Sequence, residues 1–138
     1  MGNSNNYKYA TFEDINKSNK VLLINTLTLN EQECLIKNTI VASQEENEIN
    51  DLLSNKIKAD IIVYGKNFLD RTVYKKYEQL NNLGFNVRIY IPGLFEWLLL
   101  QDIYGFENFP TTSRELDILR FRPQHPVSQS ALSRHSVI

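Results

Sequence analysis

Sulfur, histidine and long apolar runs are scarce in this chain, and each scarcity excludes something. A single cysteine, Cys34, among 138 residues rules out an internal disulfide and a multi-cysteine zinc centre. A chain without disulfides fits a reducing interior, so an intracellular, cytoplasmic location is expected. The two histidines, His125 and His135, fall close to the C-terminus, and no histidine-based catalytic pair is expected in the core. No apolar stretch approaches the roughly 20 residues that span a bilayer, so no transmembrane segment is expected. The opening Met1-Gly2-Asn3-Ser4-Asn5-Asn6 is polar, unlike a secretory signal. Net charge is small as well: 15 Lys+Arg against 16 Asp+Glu leave −1. That balance argues against a nucleic-acid binder acting through bulk charge, and it gives no general attraction to anionic membranes. Nothing in the chain calls for a cofactor or a metal.

What is present is enough for a core. Hydrophobic residues make up 42 % of the chain, above what a disordered chain carries, and the length suits one domain. Residues 1–6 are expected to be a flexible lead. Gly2 after Met1 raises N-myristoylation as an anchor, yet that pattern wants Ser or Thr where Asn6 stands, so an unmodified terminus is the favoured reading. Tyr7 to Ala10 suggests a short strand. Thr11 then caps a helix whose first turn holds Glu13 and Asp14. Val21-Leu22-Leu23-Ile24 is apolar throughout, as in a strand buried on both faces. Thr39 to Ala42 is a weaker strand. Ile49, Leu52 and Leu53 give residues 45–55 helical spacing.

Ile61-Ile62-Val63-Tyr64 has the strongest strand pattern in the chain. Val73, Tyr77 and Leu80 lie on one helical stripe that Gly84 ends. Val87 to Ile91 again reads as strand. Leu94 to Tyr104 is apolar on most of its surface, more than one sheet face needs, so part of it is a candidate protein-binding patch. Thr111 or Thr112 is expected to cap a last helix through Leu116, Leu119 and Phe121. From residue 122 onward the pattern is lost and a disordered tail is expected. Alternating strands and helices predict an α/β domain with a mainly parallel central sheet flanked by helices, spanning residues 7–121. Ligands of such sheets bind beyond the carboxyl ends of the strands, where the loop Gly65 to Asp70 falls.

Several local patterns resemble a rhodanese-like domain. Leu22-Leu23-Ile24-Asn25 is similar to that family's early strand, which usually ends in Ile-Asp. Leu35-Ile36-Lys37-Asn38-Thr39-Ile40 is similar to its Gly-His-Ile-Pro-Gly-Ala-Ile stretch, and Leu83-Gly84-Phe85 to its Gly-Phe step. Pro92-Gly93-Leu94-Phe95-Glu96-Trp97 resembles its Gly-Gly-x-x-x-Trp signature and is the most specific of the four. The resemblance implies a catalytic cysteine directly after the strand that ends at Tyr64, in a loop whose N–H groups cradle an anion. The residue there is Gly65. Asn25 stands for the usual early Asp, Leu27 where an Arg often follows, and Asn38 where a Gly usually does. Gly84, Gly93 and Trp97, which build the frame, are retained.

The expected vestigial loop is therefore Gly65, Lys66, Asn67, Phe68, Leu69, Asp70 and Arg71. Its x5 spacing from Gly65 to Arg71 matches the longer loop of the related Cdc25-type phosphatases. That likeness makes Arg71 a candidate anion-binding residue, since guanidinium offers phosphate a planar fork of donors. An exposed first-turn arginine is the plainer reading. Asp60 and Asp70 flank the loop as a candidate acid or helix cap, and Asp70 best suits capping. Cys34 is the candidate reactive thiol, if a nearby cation lowers its pKa; otherwise it is a small buried residue. Tyr74, Tyr77, Lys75 and Lys76 share a helix that either contacts a partner or is simply solvated.

Three functions follow. The first is a catalytically inactive rhodanese-like module with a protein-binding, regulatory or scaffolding role. The second is a sulfurtransferase that uses Cys34, and the third is an oxyanion-binding module that uses the Gly65–Arg71 loop.

Overall fold

A parallel sheet asks its inner strands to be apolar on both faces, and two runs of this chain, Leu22 to Ile24 and Ile61 to Tyr64, meet that demand. The computed structural model describes residues 6–124. Within it, β1 (Leu22–Asn25), β3 (Asp60–Tyr64) and β4 (Asn86–Tyr90) pair in parallel, and the short β2 (Thr39–Ile40) adds to the outer side of β1. The strand order is β2-β1-β3-β4. Register is fixed along the centre: Leu22 faces Ile61, and Tyr64 faces Tyr90. The domain is α/β, a four-stranded all-parallel sheet flanked by helices.

The two faces of the sheet carry separate clusters, as the two-residue period of a strand requires. Ile24, Ile61, Val63, Val87 and Ile89 pack against Ile49 of α2 (Ala42–Ser54) and Val73, Tyr77 and Leu80 of α3 (Thr72–Asn82). On the other face, Leu23, Ile62, Tyr64 and Tyr90 meet Ile15 of α1 (Phe12–Lys17) and Leu94, Trp97 and Leu98 of α4 (Gly93–Tyr104). Trp97 is buried in this second cluster. Its ring lies edge-on to Tyr90 and Phe109, and its indole N–H donates to the Pro110 carbonyl at 3.1 Å. α1 begins as its sequence suggests, with Thr11 and Asp14 exchanging hydrogen bonds in a capping box. The Thr11 N–H and the nearby Arg88 hold the Asp14 carboxyl below its ordinary range.

Several elements differ from expectation. The expected strand at Tyr7 to Ala10 reduces to one parallel bridge between Tyr9 and Ile89 at the outer edge of β4. α2 starts at Ala42, three residues earlier than the apolar spacing shows, because residues 42–44 are polar or small and leave no periodic signal. The expected last helix is replaced by a single 3₁₀ turn at Ile118–Phe121. Thr111 and Thr112 do not cap a helix. Thr111 forms an antiparallel bridge with Ile36, and the Thr112 hydroxyl accepts the Leu35 N–H and donates to the Glu33 carbonyl. Those groups are committed to a distant segment, so no helix can start on them.

Asn38 adopts a left-handed φ of 73°, a conformation that glycine and asparagine take most readily, which accounts for Asn where the family resemblance implies Gly. Gly2, both histidines and the tail from residue 125 lie outside the described residues. Among the described residues no helix is long and apolar enough to cross a membrane, and no group of three or more His, Cys, Asp or Glu could hold a metal ion.

Candidate functional site

β3 ends at Tyr64, whose hydroxyl is fully buried. It accepts the Ile36 N–H at 3.0 Å and bonds the Thr39 hydroxyl at 2.8 Å. Burial pushes its phenol pKa far up, so the group is a fixed neutral strut. The chain then turns at Gly65 and curls through seven residues into α3. The carbonyls of Gly65 and Lys66 accept the N–H groups of Leu94 and Phe95 at 2.9 and 3.0 Å. Two donors that the first turn of α4 would otherwise leave open are thus spent on the loop. Gly93 makes this approach possible. It has φ 68°, and a Cβ there would lie 2.5 Å from the Gly65 oxygen and 3.0 Å from the Asn67 nitrogen.

Asn67 is buried and bonds at both ends of its amide. Its oxygen accepts the Leu69 N–H, and its NH2 group donates to the Phe121 carbonyl, both at 2.9 Å. Asp70 fills the inside of the curl. One carboxylate oxygen accepts the Lys66 N–H at 3.1 Å; the other accepts the Thr72 N–H at 3.1 Å and its hydroxyl at 2.6 Å. Asp70 therefore does cap α3, and it also neutralises a donor of the loop itself. A Cβ on Gly65 would stand 2.4 Å from that carboxylate oxygen and 2.9 Å from the Thr26 hydroxyl. The space a side chain at position 65 would enter is occupied by a carboxylate.

The remaining loop residues point elsewhere. Phe68 is exposed at the tip. Arg71 is exposed too, and its guanidinium lies over the Tyr74 ring at 5.1 Å. It does not line the cavity of about 380 Å³ in front of the loop. The cations of that cavity are instead Lys66, Arg120 and Arg122. Lys66 pairs with Glu31 at 2.9 Å, across the cavity mouth. Burial raises the Glu31 pKa, but hydrogen bonds from Lys66 and Thr28 outweigh it and leave the carboxyl below its ordinary range. Arg120 is held by Glu115 at 2.9 Å. The Thr26 hydroxyl oxygen is buried at the back of this cavity, with no hydrogen-bond partner among the described residues.

Asn25 occupies the end of β1 as a scaffold residue. Its amide and that of Gln32 donate to each other at 3.1 and 2.8 Å, and its oxygen also accepts the Leu27 N–H. Cys34 is buried apart from the loop, against Leu35 and Ile36, and its thiol donates to the Ser113 carbonyl at 3.4 Å. Burial pushes the thiol pKa up, the reverse of what a nucleophile needs. Asp60 sits at the amino end of β3, where it accepts from Asn86 at 2.7 Å, so it does not flank the loop.

Thr26, Glu31, Arg120 and Arg122 were not indicated by sequence pattern. The two arginines reach the cavity only because the last 3₁₀ turn folds back onto Asn67, a contact across 54 positions that leaves no local signal.

No family model matches this chain, and no curated protein matches it. Among solved structures, the BH2092 protein of Bacillus halodurans is similar in fold. It aligns over 90 % of this chain and 89 % of its own, with a TM-score of 0.55 and 17 % sequence identity. At that identity the likeness concerns the fold alone.

Proposed function

We propose that this chain is a catalytically silent rhodanese-like module that acts by holding a protein partner, in a regulatory or scaffolding role. The observation that carries the reading is the seat of the Asp70 carboxylate against Gly65. A persulfide or phosphoenzyme mechanism needs a nucleophilic side chain at the centre of a ring of free N–H groups. Here that centre has no side chain, and the Lys66 N–H already serves an internal anion. The chain's one thiol is buried elsewhere and made less acidic by its surroundings. The parallel sheet, the loop at the carboxyl end of β3, and the structural parts played by Gly93 and Trp97 support the rhodanese-like frame.

The test is purified protein assayed for sulfur transfer from thiosulfate to cyanide and for hydrolysis of an aryl phosphate, with intact mass measured after thiosulfate. The expected result is neither turnover above background nor a reductant-sensitive sulfur adduct. Turnover abolished by Cys34→Ser, or by Arg71→Ala, would overturn the silent reading in favour of the sulfurtransferase or the phosphate site respectively.

A further inference from the structure

Far from the loop, at the amino ends of β3 and β4, the last turns of α2 and α3 border a cavity of about 220 Å³. Both helices end in the same way. The Ile57 N–H donates to the Leu52 carbonyl and the Lys56 N–H to that of Leu53; in α3 the Phe85 N–H donates to Leu80 and the Gly84 N–H to Asn81. Each is a Schellman turn, which folds the next apolar residue back toward its helix. Phe85 is buried and, with Leu52, makes the floor of the cavity. The rim is apolar as well but stays open: Leu53 is 39 % exposed, Ile57 50 % and Leu83 48 %. Large apolar side chains gathered half-open around one concavity mark a contact surface more often than scattered ones do.

The charges of this cavity have one sign. Lys56 and Lys58 line it, and no carboxylate does. Asp51 and Asp60, the nearest acids along the chain, are outside the lining, and Asp60 accepts from Asn86. Among the described residues neither lysine forms an ion pair. Lys56 also holds φ 57° at the position where α3 has Gly84. Glycine takes this left-handed conformation freely and lysine does not, so the fold by itself favours glycine there. We propose that this cavity is the seat of the protein partner, and that the partner offers a short segment with a large apolar side chain flanked by carboxylates. An apolar cavity of about 150 Å³ takes a benzene ring, so one of about 220 Å³ has room for a leucine or phenylalanine side chain. Carboxylates on either side of that anchor meet Lys56 and Lys58. A flat bilayer would touch the rim and leave the floor empty, and the net charge of −1 gives no general pull toward anionic lipid. The inference rests on the reading of the chain as a partner-holding module, and not on the silence of its loop.

The test titrates the full-length chain, enriched in 15N, with a capped peptide of leucine and phenylalanine between two pairs of glutamates. At millimolar peptide the amides of Ile57, Lys58, Gly84 and Phe85 should shift and saturate, while those of Leu94 and Phe95 beside the loop stay in place. A peptide with lysines for the glutamates should bind about fivefold more weakly or worse, and so should the glutamate peptide to a Lys56→Gly, Lys58→Ala chain. That variant should melt no lower than its parent, because glycine suits position 56, so weaker binding would not reflect unfolding. Equal affinities in these comparisons overturn the charge-matched seat. No saturable shift, or shifts at the loop alone, overturn the cavity as the seat. Shifts that grow with protein concentration without peptide, or that only phosphatidylserine vesicles produce, overturn the peptide in favour of a second copy or a membrane. None of these readouts depends on turnover: a failure here leaves the silent loop standing, and sulfur transfer or phosphate hydrolysis would leave the cavity standing.

Discussion

Placing a thiol at position 65 is the sharpest perturbation of the loop, and Gly65→Cys should fail in a measurable way. The new Cβ would fall 2.4 Å from an Asp70 oxygen, 2.8 Å from its carboxyl carbon and 2.9 Å from the Thr26 hydroxyl. Asp70 can escape only by rotating out, and doing so abandons the Lys66 N–H and the two bonds from Thr72. Overpacking of this kind costs about 1–3 kcal/mol, and losing a carboxylate cap adds about 0.5–2 kcal/mol. Each kcal/mol is worth roughly 3–6 °C in a domain of this size, so the melting temperature should fall by about 5–30 °C. If Asp70 stayed near, its charge would also disfavour a thiolate beside it. In a Cys34→Ser background the variant should therefore form no reductant-sensitive adduct with thiosulfate at neutral pH. Adding Asp70→Ala should recover part of the stability relative to Gly65→Cys alone. A single variant as stable as its parent that took up sulfur stoichiometrically would refute the reasoning, because Asp70 would then be no obstacle.

Two of the three glycines with positive φ should separate by their surroundings. Gly93→Ala meets backbone atoms at 2.5 and 3.0 Å and should cost about 3 kcal/mol or more in urea unfolding. Gly84→Ala, in open space at φ 99°, should cost about 1–2 kcal/mol; the reverse order would be inconsistent with these contacts. Tyr64→Phe leaves the buried Ile36 N–H unpaired and should cost about 1–3 kcal/mol, with alkylation of Cys34 or tyrosine absorbance at pH 11 reporting any loosening of the core. Tyr7 donates to Glu78 at 2.6 Å, which lifts its pKa to about 12. A raised phenol favours the fold while it stays protonated, so this stabilisation is complete below about pH 10 and is lost as pH rises through 12; Tyr7→Phe should flatten the unfolding curve in that window. Cys34 should react with a thiol reagent in native protein far more slowly than in urea, and equal rates would contradict its burial.

The sheet was legible because its two inner strands are buried on both faces and read as unbroken apolar runs, Leu22 to Ile24 and Ile61 to Tyr64, while the outer strand alternates Val87, Ile89 and Ile91 with Arg88 and Tyr90. α3 and α4 were legible from the Val73-Tyr77-Leu80 stripe and the glycine before Leu94. The candidate loop was legible as a position, since Gly65 follows the strongest strand. Its internal chemistry was only half legible. Asp70 could be read as a cap for Thr72, but its second bond to Lys66 depends on how tightly the loop curls, which no propensity encodes. Thr111 and Thr112 misled because a cap residue in sequence promises a helix only when its hydroxyl is free, and the Thr112 hydroxyl is taken by Leu35 and Glu33, more than 70 positions away. Another long-range contact, Asn67 to Phe121 across 54 positions, hid Arg120 and Arg122.

The tie between the loop carbonyls and α4 also bears on the order of events along a growing chain. Residues 65 and 66 are made well before Leu94 and Phe95, whose N–H groups they need. Until β4 and the first turn of α4 have emerged, the carbonyls of Gly65 and Lys66 lack these partners, and Gly93 has nothing to approach. Asn67 waits longer still, for Phe121. A chain halted after α3 would thus expose the carboxyl end of β3, its loop held only by the bonds among residues 66–72. The loop's outward contacts would be completed only when α4 and the last 3₁₀ turn have docked, and the amides of Leu94 and Phe95 would exchange with solvent when the contact between α4 and the loop opens.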